Sequence, residues 1–288
     1  MTTSPRLGPR VLCALLSGTA FGPTDLVGAD AAPFRDSESA DVTDWLKVTA
    51  THRTRYETLD GQFRAGGSAG DQMLAVRTSL KLEAKFAALS LVGEIMDSRQ
   101  ALADSGTPID TTMDNALEPL QGYAAILLDG AFVDGGRAEW RIGRQTMDVG
   151  SRRLVARNQF RNTVNTFTGV YYQWELQDGP TVRAFYVLPV TRLPADTASL
   201  LDNEIEFDEE RFDVRFWGGH VQWPRRLSGA TGEVYVFALR EDDSPALPTR
   251  NREIYTSGLR VSRKPASTTW DFDLESAVQF GTMRNSVD

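Results

Sequence analysis

Leu74-Ala75-Val76-Arg77-Thr78-Ser79-Leu80-Lys81-Leu82-Glu83-Ala84-Lys85-Phe86 is the stretch on which the reading of the fold turns. Leu74, Val76, Leu80, Leu82, Ala84 and Phe86 share one parity, while Arg77, Ser79, Lys81, Glu83 and Lys85 share the other. Successive side chains of a β-strand leave opposite faces, so a period of two belongs to a strand. On a helix the same residues would scatter around the circumference.

Working outward, the pattern recurs. Leu46, Val48, Ala50 and Tyr56 oppose Lys47, Thr49, Arg53, Arg55 and Glu57. Ala138, Trp140 and Ile142 oppose Arg137, Glu139 and Arg141, and Val170, Tyr172, Trp174 and Leu176 oppose Tyr171, Gln173 and Glu175. Tyr255, Leu259 and Val261 oppose Arg260 and Ser262; Trp270, Phe272, Leu274, Val278 and Phe280 oppose Asp271, Asp273, Glu275 and Gln279. Further strands are expected near 88–96, 117–128, 181–189, 211–223 and 231–240, about eleven in all.

Many of these strands reach about ten residues, longer than the usual five or six of globular sheets. Their polar face carries full charges of both signs, and their apolar face carries Trp, Tyr or Phe near the strand ends, as aromatic girdles do in membrane barrels. A soluble lipocalin-type barrel inverts this arrangement. The pattern therefore predicts an all-β, antiparallel, up-and-down transmembrane barrel, with a large soluble β protein as the alternative. Tight links at Ala87-Ala88 and Asp178-Gly179-Pro180 alternate with longer ones at 97–116, 145–166, 190–210 and 241–251, a layout in which turns face the periplasm and long loops face outward.

Composition bounds the function. The 288 residues are 41% hydrophobic and 24% charged. No run of about 18 apolar residues exists for a membrane helix, but barrel strands need only about ten residues, half of them apolar. A net charge of −8 argues against nucleic acid as a partner, although it does not describe a pore lining. Cys13 is the single cysteine, and His52 and His220 are the only histidines, so disulfides, thiol catalysis, a His-rich metal site and a Ser-His-Asp triad are poorly supplied. Asp271 and Asp273 are explained by alternation rather than by glycoside hydrolysis. Gly135-Gly136 and Gly218-Gly219 suit a turn and a strand irregularity. The acidic run of Asp202, Glu204, Glu206, Asp208, Glu209 and Glu210 suits a solvated loop, with a divalent-cation site as the alternative. No enzyme activity, cofactor or metal is expected.

Residues 1–31 are expected to form a secretory signal peptide. Arg6 and Arg10 supply a basic start, Val11 to Phe21 a short apolar run, and Ala29-Asp30-Ala31 a cleavage site. Residues 32–288 then form one barrel domain. The odd strand count and the polar tail Thr282 to Asp288, without a final aromatic residue, point to an incomplete, C-terminally truncated portion of a larger barrel.

Several segments are more specific than alternation. Met147-Asp148-Val149-Gly150-Ser151-Arg152-Arg153-Leu154-Val155-Ala156-Arg157-Asn158, followed by Phe160-Arg161-Asn162-Thr163, Asn165 and Phe167-Thr168-Gly169, resembles the central motif of the alginate-export family. Arg55-Tyr56-Glu57 with Gln62-Phe63-Arg64, Glu94 with Asp97-Ser98-Arg99, and Asn115-Ala116-Leu117-Glu118-Pro119-Leu120-Gln121 extend the likeness. The resemblance implies a monomeric barrel in outer-membrane lipid, an arginine-rich lumen, an anionic polysaccharide as substrate, and room for periplasmic secretion partners.

Arginine suits that substrate class, because its planar guanidinium matches a carboxylate and stays charged. Transport also needs contacts that are weak and repeated, so that a polymer can leave as well as enter. Parity offers Arg53, Arg55, Arg77, Lys81, Arg137 and Arg141 for the lumen. The family-like segments add Arg99, Arg144, Arg152, Arg153, Arg157 and Arg161. Each has an alternative role in a structural ion pair, with Glu57, Glu83, Glu94, Asp97, Glu139 and Asp148 as partners. Trp140, Trp174, Trp217, Trp223 and Trp270 are expected mainly at the lipid interface. The expected function is a porin passing an anionic polysaccharide such as alginate, or a related anion. The alternatives are a general small-solute porin and a structural or binding barrel without transport.

Overall fold

A computed structural model describes residues 13–19, 35–60, 70–103, 109–227, 229–244, 248–266 and 270–284. The wall consists of β2 (Arg35–Thr43), β3 (Leu46–Asp60), β4 (Gly70–Phe86), β5 (Leu89–Ala101), β6 (Asn115–Asp129), β7 (Gly136–Gln145), β8 (Phe167–Leu176), β9 (Thr181–Thr191), β11 (Val214–Leu227), β12 (Ala230–Glu241), β13 (Glu253–Arg263) and β14 (Phe272–Thr282). These twelve strands are antiparallel, each paired with its neighbour along the chain. A short strand β1 (Cys13–Thr19) lies on the outer edge of β14, a two-residue β10 (Glu209–Glu210) pairs with the end of β9, and the helix α1 (Thr197–Leu201) is a single turn. The outer edges of β1 and β2 are not paired with each other among the described residues, so the sheet is not closed.

Eleven strands were legible by alternation. β2 was not, because Arg35–Thr43 has no apolar stripe; its backbone pairs with β3 from Arg35↔Arg53 onward. Of the expected signal peptide, residues 1–12 and 20–31 lie outside the described residues, and Cys13–Thr19 is described as β1.

Strand direction alternates, so the short links at 44–45, 87–88, 130–135 and 177–180 fall at one end of the sheet. The long links at 102–114, 146–166 and 242–252 fall at the other. The two-residue link after β4 puts Ala87 at φ 52, the left-handed conformation that such hairpins need to match the strand twist.

The two faces are those of a membrane wall. In β4, Leu80 is 46% exposed while Ser79 beside it is 7% exposed. Ile95, Ile126, Trp140, Ile142, Val236, Leu259 and Leu274 continue the outward apolar surface around the sheet. In water each such side chain would forgo about 1.5–3 kcal/mol of burial, whereas lipid removes that cost. Aromatic pairs sit toward both rims: Trp45 stacks on Phe86 at 5.6 Å near the short links, and Tyr255 on Phe280 at 5.7 Å near the long ones. Inside, Tyr235 lies flat over Gly258, its partner in register, where a Cβ would come within 2.3 Å of the ring.

Candidate pore lining

The inner face is built around the link between β7 and β8, residues 146–166, which folds back onto the wall. Met147, Val149 and Val155 bury against Tyr171, Phe185, Val187, Tyr235 and Phe237. The segment thus covers an apolar patch on the inner sides of β8, β9 and β12. Gly150 turns the chain at φ 57, and a Cβ there would lie 3.1 Å from both His220 Nε2 and Glu233 Oε2. Beyond it, the Ser151 hydroxyl donates to Glu275 of β14 at 3.2 Å, and Arg153 pairs with the same carboxylate at 3.1 Å. Tyr235 donates to that carboxylate too, at 2.9 Å.

The segment then returns to the opposite side. Arg157 grips both oxygens of Glu94 on β5, at 2.6 and 3.0 Å. The Gln121 side chain donates to the same Glu94 and accepts from the Thr146 amide at 2.9 Å. Arg53 donates to the carbonyls of Gln159, Phe160 and Arg161, the last at 2.9 Å. Arg55 donates to the Phe160 carbonyl and Arg77 to the Arg161 carbonyl at 3.1 Å. Ser98 on β5 donates to the Asn162 carbonyl at 2.8 Å.

Several inner cations are thus positioned by partners. Arg53 is 3% exposed and holds backbone. Arg99, expected in the lumen, lies opposite Val76 and shares the parity of the exposed Ile95, so it stands on the outward face near the rim, paired with Asp97 at 3.0 Å. Arg55 pairs with Glu57, Lys81 with Glu83 at 3.0 Å, and Arg141 with Glu139 at 2.7 Å. These are i,i+2 neighbours on one strand face. Arg137 lies 3.6 Å from Asp129 and 3.9 Å from Glu175. Arg144 joins Glu118 to Glu210, and Arg152 joins Asp148 at 2.9 Å. Arg161 is exposed and forms no ion pair among the described residues.

Between the segment and the wall lies a cavity of about 690 Å³. Seven cationic and five acidic side chains line it, so its charge is opposite in sign to that of the chain as a whole. Of the expected residues, Arg77, Lys81, Arg137, Arg141 and Arg157 reach it; Lys85 and Arg183 do so as well, and alternation marks both as inward. A buried network that the sequence reading left unassigned lies beside the segment. His220 bonds Glu233 at 2.9 Å through Nε2 and meets Arg183 at 3.3 Å through Nδ1, which puts the ring proton on Nε2. Arg260 bridges Glu233 at 2.8 Å and Asp273 at 2.7 Å.

At the rim with the long links, Asp114 is buried and donor-poor. The Gln100 amide donates to one of its oxygens at 3.2 Å, and burial pushes its carboxyl up to about 7. Asp208 is raised as well by burial, against the opposing pull of the Leu193 amide and the Asn115 side chain.

An antiparallel wall that is apolar outside and charged inside, with a link folded onto its inner face, defines an outer-membrane β-barrel porin. The chain belongs to the alginate export family, whose model matches residues 44–288. Two crystal structures of Pseudomonas aeruginosa OpdK (OccK1), one with vanillate, are similar at 10% identity and a TM-score of 0.42, covering 86% of this chain and 67% and 68% of theirs. No curated protein matches the chain.

Proposed function

We propose that the protein passes an anionic polysaccharide, alginate or a related uronate, along the basic groups of its lumen. The observation that carries this reading is the excess of cations over carboxylates around the inner cavity of an otherwise acidic protein. Pairing does not cancel it. A guanidinium with one carboxylate neighbour still has outward N–H groups, and modest net attraction suits a polymer that must move on. A general small-solute porin is the second reading, favoured by the number of these arginines already engaged in ion pairs.

Reversal potential under a salt gradient in planar bilayers tests the proposal. The wild type is expected to prefer anions. Arg77→Gln, Arg137→Gln and Arg141→Gln together are expected to abolish or reverse that preference, because Glu139 and Glu175 then stand uncompensated. Each single change should do less, since the potential sums over many groups and is screened beyond about 8 Å at physiological salt. A cation-preferring wild type rejects the reading.

A further inference from the structure

Phe160 is 79% exposed on the inner side of the wall. It is also among the most firmly held positions of the inward segment. Arg53 and Arg55 both donate to its carbonyl, and Arg53 and Arg77 hold the carbonyls on either side of it. Three guanidinium groups are thus directed at backbone, and none of their bonds buries the ring. One ring face rests over the Arg55 guanidinium, 4.9 Å from its centroid; the rest stands open. The next side chain, Arg161, is exposed and without an ion pair among the described residues. The preceding residue, Gln159, lines the inner cavity.

We infer that Phe160 and Arg161 form a sugar subsite, the ring stacking on the apolar face of an acidic pyranose while the guanidinium takes its carboxylate. The chemistry follows from the two groups. An aromatic face is electron-rich and attracts the slightly positive C–H bonds on one side of a pyranose. Arg55 occupies one face of the ring, and a flat, partly apolar sugar face complements the other, open one. The adjacent guanidinium adds a forked, charge-assisted contact that a neutral sugar cannot use. The clamp on residues 159–161 fixes the platform before the ligand arrives, so little ordering is lost on binding. This inference rests on the anionic-polysaccharide reading and adds stacking to charge.

The test is isothermal titration of the detergent-folded full chain with a defined oligouronate and with a neutral oligosaccharide of equal length. Phe160→Ala is expected to weaken oligouronate binding about three- to tenfold. Phe160→Trp should keep the affinity, and Phe160→Leu, apolar but without a ring, should not. Arg161→Gln should weaken the oligouronate about tenfold and leave the neutral sugar unchanged. Unchanged heat-modifiable mobility of each variant establishes that it is folded. Oligouronate binding that survives both Phe160→Ala and Arg161→Gln overturns the subsite and leaves the transport reading standing, as does full rescue by leucine. A wild type that binds no oligouronate overturns both.

Discussion

Arg157 and Glu94 face each other across the inner side of the wall with two parallel N–H···O bonds, Nη2 to Oε1 at 2.6 Å and Nη1 to Oε2 at 3.0 Å. Sixty-three residues separate them in sequence. The Glu94 side chain is 2% exposed, so the pair is the chief electrostatic anchor of the inward segment on β5.

Removing one partner of a buried pair is worse than removing both charges, because the remaining charge is stranded in a poor solvent. Arg157→Ala should therefore cost about 2–4 kcal/mol in urea unfolding of the detergent-folded protein. Arg157→Gln combined with Glu94→Gln should recover much of that loss. In single-channel recordings Arg157→Ala should also raise conductance or noise, as the segment loosens. Equal stability of the alanine variant and the wild type would refute the anchor.

Gly150 carries a second expectation. Its left-handed φ penalises any side chain by about 1–2 kcal/mol, and a methyl group would press on the His220–Glu233 bond. Gly150→Ala should thus lower the unfolding midpoint markedly. Gly232→Ala on β12, where a Cβ meets nothing within 4 Å, supplies the comparison and should leave the midpoint nearly unchanged.

The pH response of the long-link rim follows from Asp114. Burial raises its carboxyl to about 7 in the folded protein, against 3.8 for an ordinary aspartate. A raised folded value means that the stabilising contribution is complete below about pH 4 and is lost progressively as pH rises to about 7. The wild type should accordingly lose about 1–3 kcal/mol from this group between those limits. Asp114→Asn keeps the acceptor for the Gln100 amide and removes the titration. Its unfolding midpoint should vary less between pH 4.5 and 7.5 than that of the wild type. An identical pH profile for the two proteins would count against a buried neutral carboxyl at this position.

The wall was legible because lipid demands strict alternation: a strand that is apolar outside and charged inside writes its orientation into every second residue, as Leu80 and Ser79 do. Alternation failed where the backbone breaks step. Between Glu94↔Gln121 and Ile95↔Pro119 the register shifts, so Glu118 and Leu120 are both buried although their parity sets them opposite Gln121. The candidate cations were legible as a charged face, and i,i+2 pairs such as Arg141 with Glu139 were visible in the same period. The duties of Arg53, Arg55 and Arg77 were not. Their acceptors are main-chain carbonyls 84 to 108 residues away, and a carbonyl carries no residue type. The His220 network was hidden for a related reason, since one histidine means little until the fold sets Glu233 and Arg183 beside it.

From Ser151, held at β14, to Gln159, held at β3, the chain advances eight residues. Even drawn out fully, eight residues reach about 29 Å. Two strands near opposite margins of the sheet are therefore tied by a cord of limited length that crosses the inner side. The chain is not drawn taut, because Val155 turns back to pair with Val149, but its length caps how far β3 and β14 can part. Lengthening the cord by a few residues would raise that cap while every hydrogen bond between strands stayed in place.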